Sequence, residues 1–285
     1  MYSDKCSLHP HACPLTTQTW PCSVTLCASG LVSVREGWMN PGRLSDTFDT
    51  FGFLLEEDAV LPAGTSQRAY EAHILPRQLK LWADVSSAPD FEAAIHSMQS
   101  SKSKRLKAMV RGGIPHELRA RVWPCLAGAA SKRGAMDDAS YYDRLLESIE
   151  QREHEEAAAG QDRNSSELVE QLEQIDKDLG RTFPQHTMIA TPEGQAKLRR
   201  LLRAYCVGRN PRTGYCQGMN FLAAMLLVVM SGAEEQAFWM LVVMVERLLP
   251  ADYFADGLTG VRVDSGILLD MIKVPHPKYH LNPLA

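Results

Sequence analysis

The chain has 285 residues, enough for one large domain or two small ones and for a sizeable buried core. A hydrophobic share of 45%, a charged share of 22% and a formal net charge of −4 describe an ordinary globular protein and give no electrostatic basis for holding nucleic acid or an anionic membrane. The seven cysteines are not spaced as a secreted disulfide framework, and Cys125, Cys206 and Cys216 sit among apolar neighbours as reduced thiols do.

Residues 1–66 differ from the rest. Proline, glycine, serine and threonine are scattered there, no period of 3.6 or 2 persists, and a weakly ordered N-terminal segment is expected. The segment opens without a basic stretch followed by an apolar one, so no signal peptide is read and a cytoplasmic location is the default. Cys6, Cys13, Cys22 and Cys27 lie near His9 and His11, but none of them forms a Cys-x-x-Cys pair. A cysteine-bearing tail without metal is favoured over a zinc site.

From Gln67 onward the signals are helical. A lead-in covers residues 67–110, where Phe91, Ala94, Ile95 and Met98 recur at helix spacing before a polar break ending at Lys104. Pro115 suits the first position of a helix carrying Leu118, Val122 and Trp123. In that helix Val122 and Trp123 are expected to anchor the core, and Arg119 to pair with a carboxylate on a neighbouring helix. Tyr141, Leu145 and Ile149 mark the next helix, and residues 157–166 read as an exposed loop. Leu168, Leu172, Ile175 and Leu179 form another apolar face, with Asn164 or Ser165 as the expected N-cap. Further helices are expected at about 192–208, 218–230, 234–249 and 265–273. The apolar run at 221–230 is too short to span a bilayer, so no membrane insertion is expected. No alternating strand pattern follows Gln67. The body is predicted to be all-α.

Two constellations carry candidate chemistry. In the first, Gly180 is expected to end a helix in the left-handed conformation and Pro184 to prevent its resumption, leaving Arg181 just past the helix end. Cations near helix C-termini are favoured by a few tenths to about 1 kcal/mol, which alone would account for Arg181. The other reading is that Arg181 projects toward an anion, since a planar, permanently charged guanidinium matches phosphate oxygens. Asp178, three residues back, would orient Arg181 or pin the following loop.

The second constellation is Gly214-Tyr215-Cys216-Gln217-Gly218-Met219-Asn220, at the start of the most apolar helix. A helix N-terminus, glycines and two amides converge here. Gln217 and Asn220 read either as capping groups or as contacts to a phosphate. No Walker loop, Gly-x-Ser-x-Gly elbow or His-Glu-x-x-His site occurs. The run from Glu153 to Glu156 reads as a solvated face, and Phe238 with Trp239 as helix packing.

In this order the stretches resemble the TBC-domain family of Rab GTPase-activating proteins. Gly113-Ile114-Pro115 with Arg119, Val122 and Trp123 resembles the family's first motif. Ile175-x-x-Asp178-x-x-Arg181-Thr182-Phe183-Pro184 resembles the second, and Tyr215-x-Gln217-Gly218-Met219-Asn220 the third. Lesser similarity continues through Phe238, Trp239, Leu248, Tyr253, Val263 and Asp264. The resemblance implies an all-helical TBC-type domain over residues 111–272 and action on a Rab-family small GTPase that itself carries GTP and magnesium. The chain would need no cofactor or metal of its own. It implies an activator rather than an enzyme in its own right, present in the cytoplasm and recruited to endomembranes by its GTPase. Arg181 would be an arginine finger and Gln217 a second finger supplying a glutamine in trans. Ile175, Asp178, Tyr215, Gly218, Asn220, Arg119 and Trp123 would support the motifs and the GTPase contact.

The family's domain continues with more helices after the point where this chain stops, and residues 273–285 diverge from it, so an incomplete C-terminal end is expected. Some apolar faces of the 218–230, 234–249 and 265–272 helices would then stand in water. That makes a non-catalytic Rab-binding or regulatory helical module the competing reading. The particular Rab and the oligomeric state stay open.

Overall fold

The computed structural model describes residues 49, 51–53, 70–136, 138–158, 166–251, 253, 254 and 257–273, together with the backbone of 24–26 and 32–34. The chain divides into two units, residues 1–43 and 44–285. In the first, β1 (Val24–Leu26) and β2 (Val32–Val34) form an antiparallel ribbon in which Val24 faces Val34 and Leu26 faces Val32. Three-residue strands are too short to show a period of two, so the sequence reading found no strand in this part. The four N-terminal cysteines and residues 274–285 lie outside the described residues.

The second unit is helical, and two buried clusters hold it together. The smaller is built by α1 (Leu75–Ser86), α2 (Phe91–Ser100), α3 (Lys104–Arg111) and α4 (His116–Ala127). Gln78, Trp82 and Val85 lie on one face of α1, and Phe91 and Ile95 on one face of α2. The Trp82 indole donates to the Gly113 carbonyl at 3.0 Å, fixing the turn before α4. That turn requires glycine: Gly113 has φ +96°, and a Cβ there would stand 2.1 Å from the Gln78 amide nitrogen. The helix after this turn starts one residue later than the sequence reading placed it. Pro115, at φ −51° and ψ +139°, is the N-cap rather than the first helical residue.

On α4, Val122 and Cys125 enter the smaller cluster and Ala127 the larger, while half-buried Trp123 packs against both. The larger cluster is built by α5 (Ala129–Gly134), α6 (Tyr141–Ala158), α7 (Glu167–Leu179), α8 (Pro192–Leu202), α9 (Met219–Val229) and α10 (Glu234–Val243). Wide π-type turns extend α8 through Arg203–Arg209 and α10 through Met244–Leu248. The innermost helix is α10, whose residues from Ala237 to Val243 are all buried. Each large apolar side chain sealed there contributes about 1.5–3 kcal/mol relative to exposure. Phe238 and Trp239 meet edge to face at 5.2 Å, as packing rather than a ligand box.

The predicted face of α7 is the observed one: Leu168, Leu172, Ile175 and Leu179 are buried. Its cap is Ser166, one residue past the expected pair, with Oγ accepting from the Val169 amide at 3.5 Å and donating to Glu156 at 2.7 Å. Adjacent small polar residues can all cap, and the second bond selects Ser166. The last helix, α11 (Thr259–Lys273), begins six residues before the expected start. The expectation of water-exposed apolar faces holds most strongly on this helix, where Ile267, Leu268, Leu269, Met271 and Ile272 are each more than half exposed; Phe221 and Met225 on α9 and Leu248 after α10 are exposed as well. Among the described residues no helix is long and apolar enough to cross a membrane.

Candidate functional site

Asp178 occupies the last turn of α7 with a fully buried side chain. A buried carboxylate is costly unless it is paired or hydrogen-bonded. One oxygen accepts from the Tyr215 hydroxyl at 2.6 Å, and the other pairs with the Arg181 guanidinium. Burial, and then the hydrogen bond and charge of Asp178, push the Tyr215 phenol well above its ordinary range, so it stays a proton donor. Arg181 itself remains 51% exposed. It spends one nitrogen on Asp178, and a guanidinium has further donors in the same plane.

The loop after α7 does not end in the expected way. Gly180 has φ −65° and ψ −21°, a right-handed conformation, and the chain turns only at Phe183, with φ +46°. The reason is Thr182. Its amide donates to the Leu179 carbonyl at 3.1 Å and its hydroxyl to the Asp178 carbonyl at 2.7 Å, satisfying helix-end acceptors that a left-handed glycine would otherwise serve. Phe183 sits in its strained conformation between Phe221 at 5.5 Å and Phe53 at 5.1 Å.

The second loop joins the first through Asn220. Its amide nitrogen donates to Thr182 Oγ1 at 2.7 Å, while its oxygen accepts from the Gly218 amide at 3.0 Å. Asn220 is therefore more than a cap: fully buried, it fastens the two loops to each other. Gly218 opens α9 at φ +106°, a conformation that suits glycine. Between Tyr215 and Gly218, Gln217 is exposed, and its side chain makes no hydrogen bond among the described residues. The cap reading of Gln217 therefore fails here.

Of the residues singled out from sequence, Asp178, Arg181, Tyr215, Gln217, Gly218 and Asn220 come together in these two linked loops. Ile175 is fully buried beneath them in the larger cluster. Arg119 and Trp123 stand on α4, and among the described residues no hydrogen bond or ion pair joins them to either loop; Trp123 packs against the same larger cluster as Phe183 and Tyr215. Arg119 does not pair with a carboxylate of a neighbouring helix: its Nε donates to the Ile114 carbonyl at 3.0 Å, and its guanidinium lies 5.2 Å from the Phe51 ring. The peptide oxygen of its own N-terminal turn is the nearer acceptor.

Sequence reasoning missed His186 and Phe53. The buried His186 ring accepts from the Met188 and Ile189 amides through Nδ1, at 3.0 and 3.1 Å, so Nε2 carries the proton and donates to the Phe51 carbonyl at 2.7 Å. Burial holds its pKa below the ordinary histidine value. The available signal was Asp49 three residues before Gly52, a common β-turn pairing. Among the described residues no cluster of His, Cys, Asp or Glu is arranged to hold a metal ion.

Comparison with known proteins gives a consistent set of relatives. Residues 116–282 match the Rab-GTPase-TBC domain. TBC1 domain family member 2A of Homo sapiens is 39% identical over 183 residues, which are 63% of this chain and 18% of that protein. TBC1 domain family member 2B of Xenopus tropicalis is 32% identical over 240 residues, 81% of this chain and 23% of that protein. The chain thus spans about a fifth of the length of these curated relatives. Among solved structures, the Chlamydomonas flagellar RabGAP TBC domain aligns with a TM-score of 0.56 and 28% identity, covering 80% of this chain and 66% of that one.

Proposed function

Because the chain belongs to the Rab-GTPase-TBC domain family, we propose that it accelerates GTP hydrolysis by a Rab-type small GTPase, with Arg181 and Gln217 entering that protein's nucleotide site. The observation that carries this reading is the contrast within one ion pair: Asp178 is wholly buried while Arg181 is half exposed. Neutralising Asp178 occupies only one nitrogen of a guanidinium that carries five N–H donors. Here one nitrogen is held, and about half of the side chain stays open to solvent.

Phosphoryl transfer spreads charge over the γ-phosphate oxygens and needs a water in line with the breaking bond. Arg181 would meet the developing charge, its aim set by Asp178 and the Thr182–Asn220 bond. Gln217, without a hydrogen bond among the described residues, has an acceptor for the attacking water and a donor for the transferring group. GTP and its magnesium belong to the partner as substrate. The chain would reach endomembranes through that GTPase.

The test is single-turnover GTP hydrolysis by a panel of purified Rab proteins with the wild-type chain and with Arg181→Ala and Arg181→Lys. Activation by the wild type should fall by about 10³–10⁵ in the alanine variant. Lysine should restore it only in part, because an ammonium lacks the planar fork. Circular dichroism should show both variants folded. Undiminished activation by Arg181→Ala would overturn the assignment. Rab binding without activation would instead favour the non-catalytic module.

A further inference from the structure

The Arg181 loop is held from beneath by α7 and from the side by Asn220, and on a third side by a segment far away in the chain. Asp49 forms a closed turn: its carboxylate accepts from the Phe51 and Phe53 amides at 2.9 and 2.8 Å, and its own amide donates to the Phe53 carbonyl at 2.9 Å. Gly52, at the tip with φ +88°, accepts at its carbonyl from the Thr187 amide at 3.0 Å. The Phe51 carbonyl accepts from His186. The Phe53 ring stands edge-on to Phe183 at 5.1 Å and to His186 at 4.6 Å. The tip fits closely: a Cβ on Gly52 would stand 2.3 Å from Thr187 Oγ1.

These contacts all fall on the stretch that begins two residues after Arg181. Phe183 has a positive φ, which a bulky residue holds only where its surroundings over-determine it. Two aromatic rings do so here. One, Phe221, belongs to α9; the other, Phe53, comes from outside residues 116–282, the extent of the family match. We propose that the Asp49–Phe53 turn is a strap that positions the arginine-finger loop, with Phe53 and His186 as positioning residues acting through Phe183 on Arg181. This rests on the finger reading of Arg181. Phe51 extends the strap to α4, where Arg119 lies over its ring and His116 meets it at 6.0 Å. Arg119 therefore serves the site indirectly, by seating the strap.

A finger misplaced by about 1 Å can cost about 100-fold in rate without weakening ground-state binding. The test uses the full chain with Phe53→Ala, Gly52→Ala and Phe53→Tyr, and with Arg181→Ala alongside. Two readouts are taken: GTP hydrolysis as a function of Rab·GTP concentration, and amide hydrogen exchange. Phe53→Ala and Gly52→Ala should lower kcat by about 10- to 100-fold with KM held within about two-fold. Phe53→Tyr, which keeps the ring, should recover most of the loss. Adding Phe53→Ala to Arg181→Ala should cost nothing further. Exchange should quicken at residues 182–190 in the alanine variants and stay unchanged in α1 and α2.

If Arg181→Ala abolishes activation while Phe53→Ala leaves both kcat and loop exchange as in the wild type, the strap is wrong and the finger stands. If Arg181→Ala has no effect, the finger reading has failed, and unchanged loop exchange would then reject the strap as well. Quickened exchange throughout the molecule would show a general fold contact and overturn the positioning role.

Discussion

Two neighbouring loops differ in how they hold the exposed side chain proposed as a finger. Arg181 is tied to a buried carboxylate, and its loop is fastened through Thr182, Phe183 and His186 to α7, α9 and a distant turn. Gln217 is tied to nothing among the described residues, although its neighbours Tyr215 and Gly218 both engage the first loop's anchors. A charged finger must be aimed before its partner arrives, because a free guanidinium on a long stem loses much rotamer entropy on fixing. A neutral amide that meets the water and the transferring group can take its place once the partner has enclosed the site. Pre-organisation is concentrated on the residue that has most to lose without it.

The largest effect should come from cutting the shared anchor. Asp178→Ala removes a buried acceptor from Tyr215 and the only ion pair of Arg181 with a described residue, so it should strike both loops at once. Loss of a hydrogen bond to a charged group, leaving the phenol unpaired, implies about 2–3 kcal/mol of stability, read from the urea midpoint. Gln217→Ala should leave the midpoint within about 0.5 kcal/mol of the parent, as expected of an exposed side chain with no hydrogen bond among the described residues. Equal destabilisation by the two substitutions would erase the contrast between the loops.

The two glycines of the site sharpen the comparison. Gly218 has φ +106° and open space around a notional Cβ, so Gly218→Ala should cost only backbone strain, about 1–2 kcal/mol. Gly180 has ordinary helical angles and equally open surroundings, so Gly180→Ala should stabilise the chain by about 0.4–1 kcal/mol. Thermal unfolding of the pair reads both signs. A destabilising Gly180→Ala would restore the left-handed helix end expected from sequence.

A smaller effect belongs to pH. His186 has a lower pKa in the folded loop than the ordinary 6.5, mainly through burial and against the opposing effects of its bond to Phe51 and the Asp49 charge. The unfolded or opened loop therefore binds the proton more readily. The anchoring is complete above about pH 6.5 and weakens as pH falls through the range between the two values. Amide exchange at Met188 and Ile189, corrected for intrinsic rate, should quicken on going from pH 7 to about 5.5. In His186→Asn this pH dependence should vanish.

Local regularities carried most of what was legible in the sequence. The α7 face could be read because Leu168, Leu172, Ile175 and Leu179 repeat at helix spacing, and the inner helix because its apolar run is unbroken. The six residues of the two loops were found by their motifs, but their wiring was not. Gly180 invited a left-handed end, since nothing in the sequence announces that Thr182 will serve the same carbonyls. Arg119 invited an ion pair, while its actual partner is a peptide oxygen five residues back. The strap was least legible: its contacts with the Arg181 loop join positions more than a hundred residues apart, and no periodicity encodes a contact of that separation.

The claim that both fingers come from this chain is tested most directly by removing the rival glutamine. Single-turnover hydrolysis should be followed with a Rab whose own switch glutamine is replaced by alanine, using the wild-type chain and Gln217→Ala. The wild-type chain should retain most of its activation on the altered Rab, and Gln217→Ala should lose it on both the altered and the unaltered protein. Activation that disappears with the Rab's glutamine, and survives Gln217→Ala on the unaltered Rab, would contradict the account and leave Gln217 an exposed residue of no catalytic consequence.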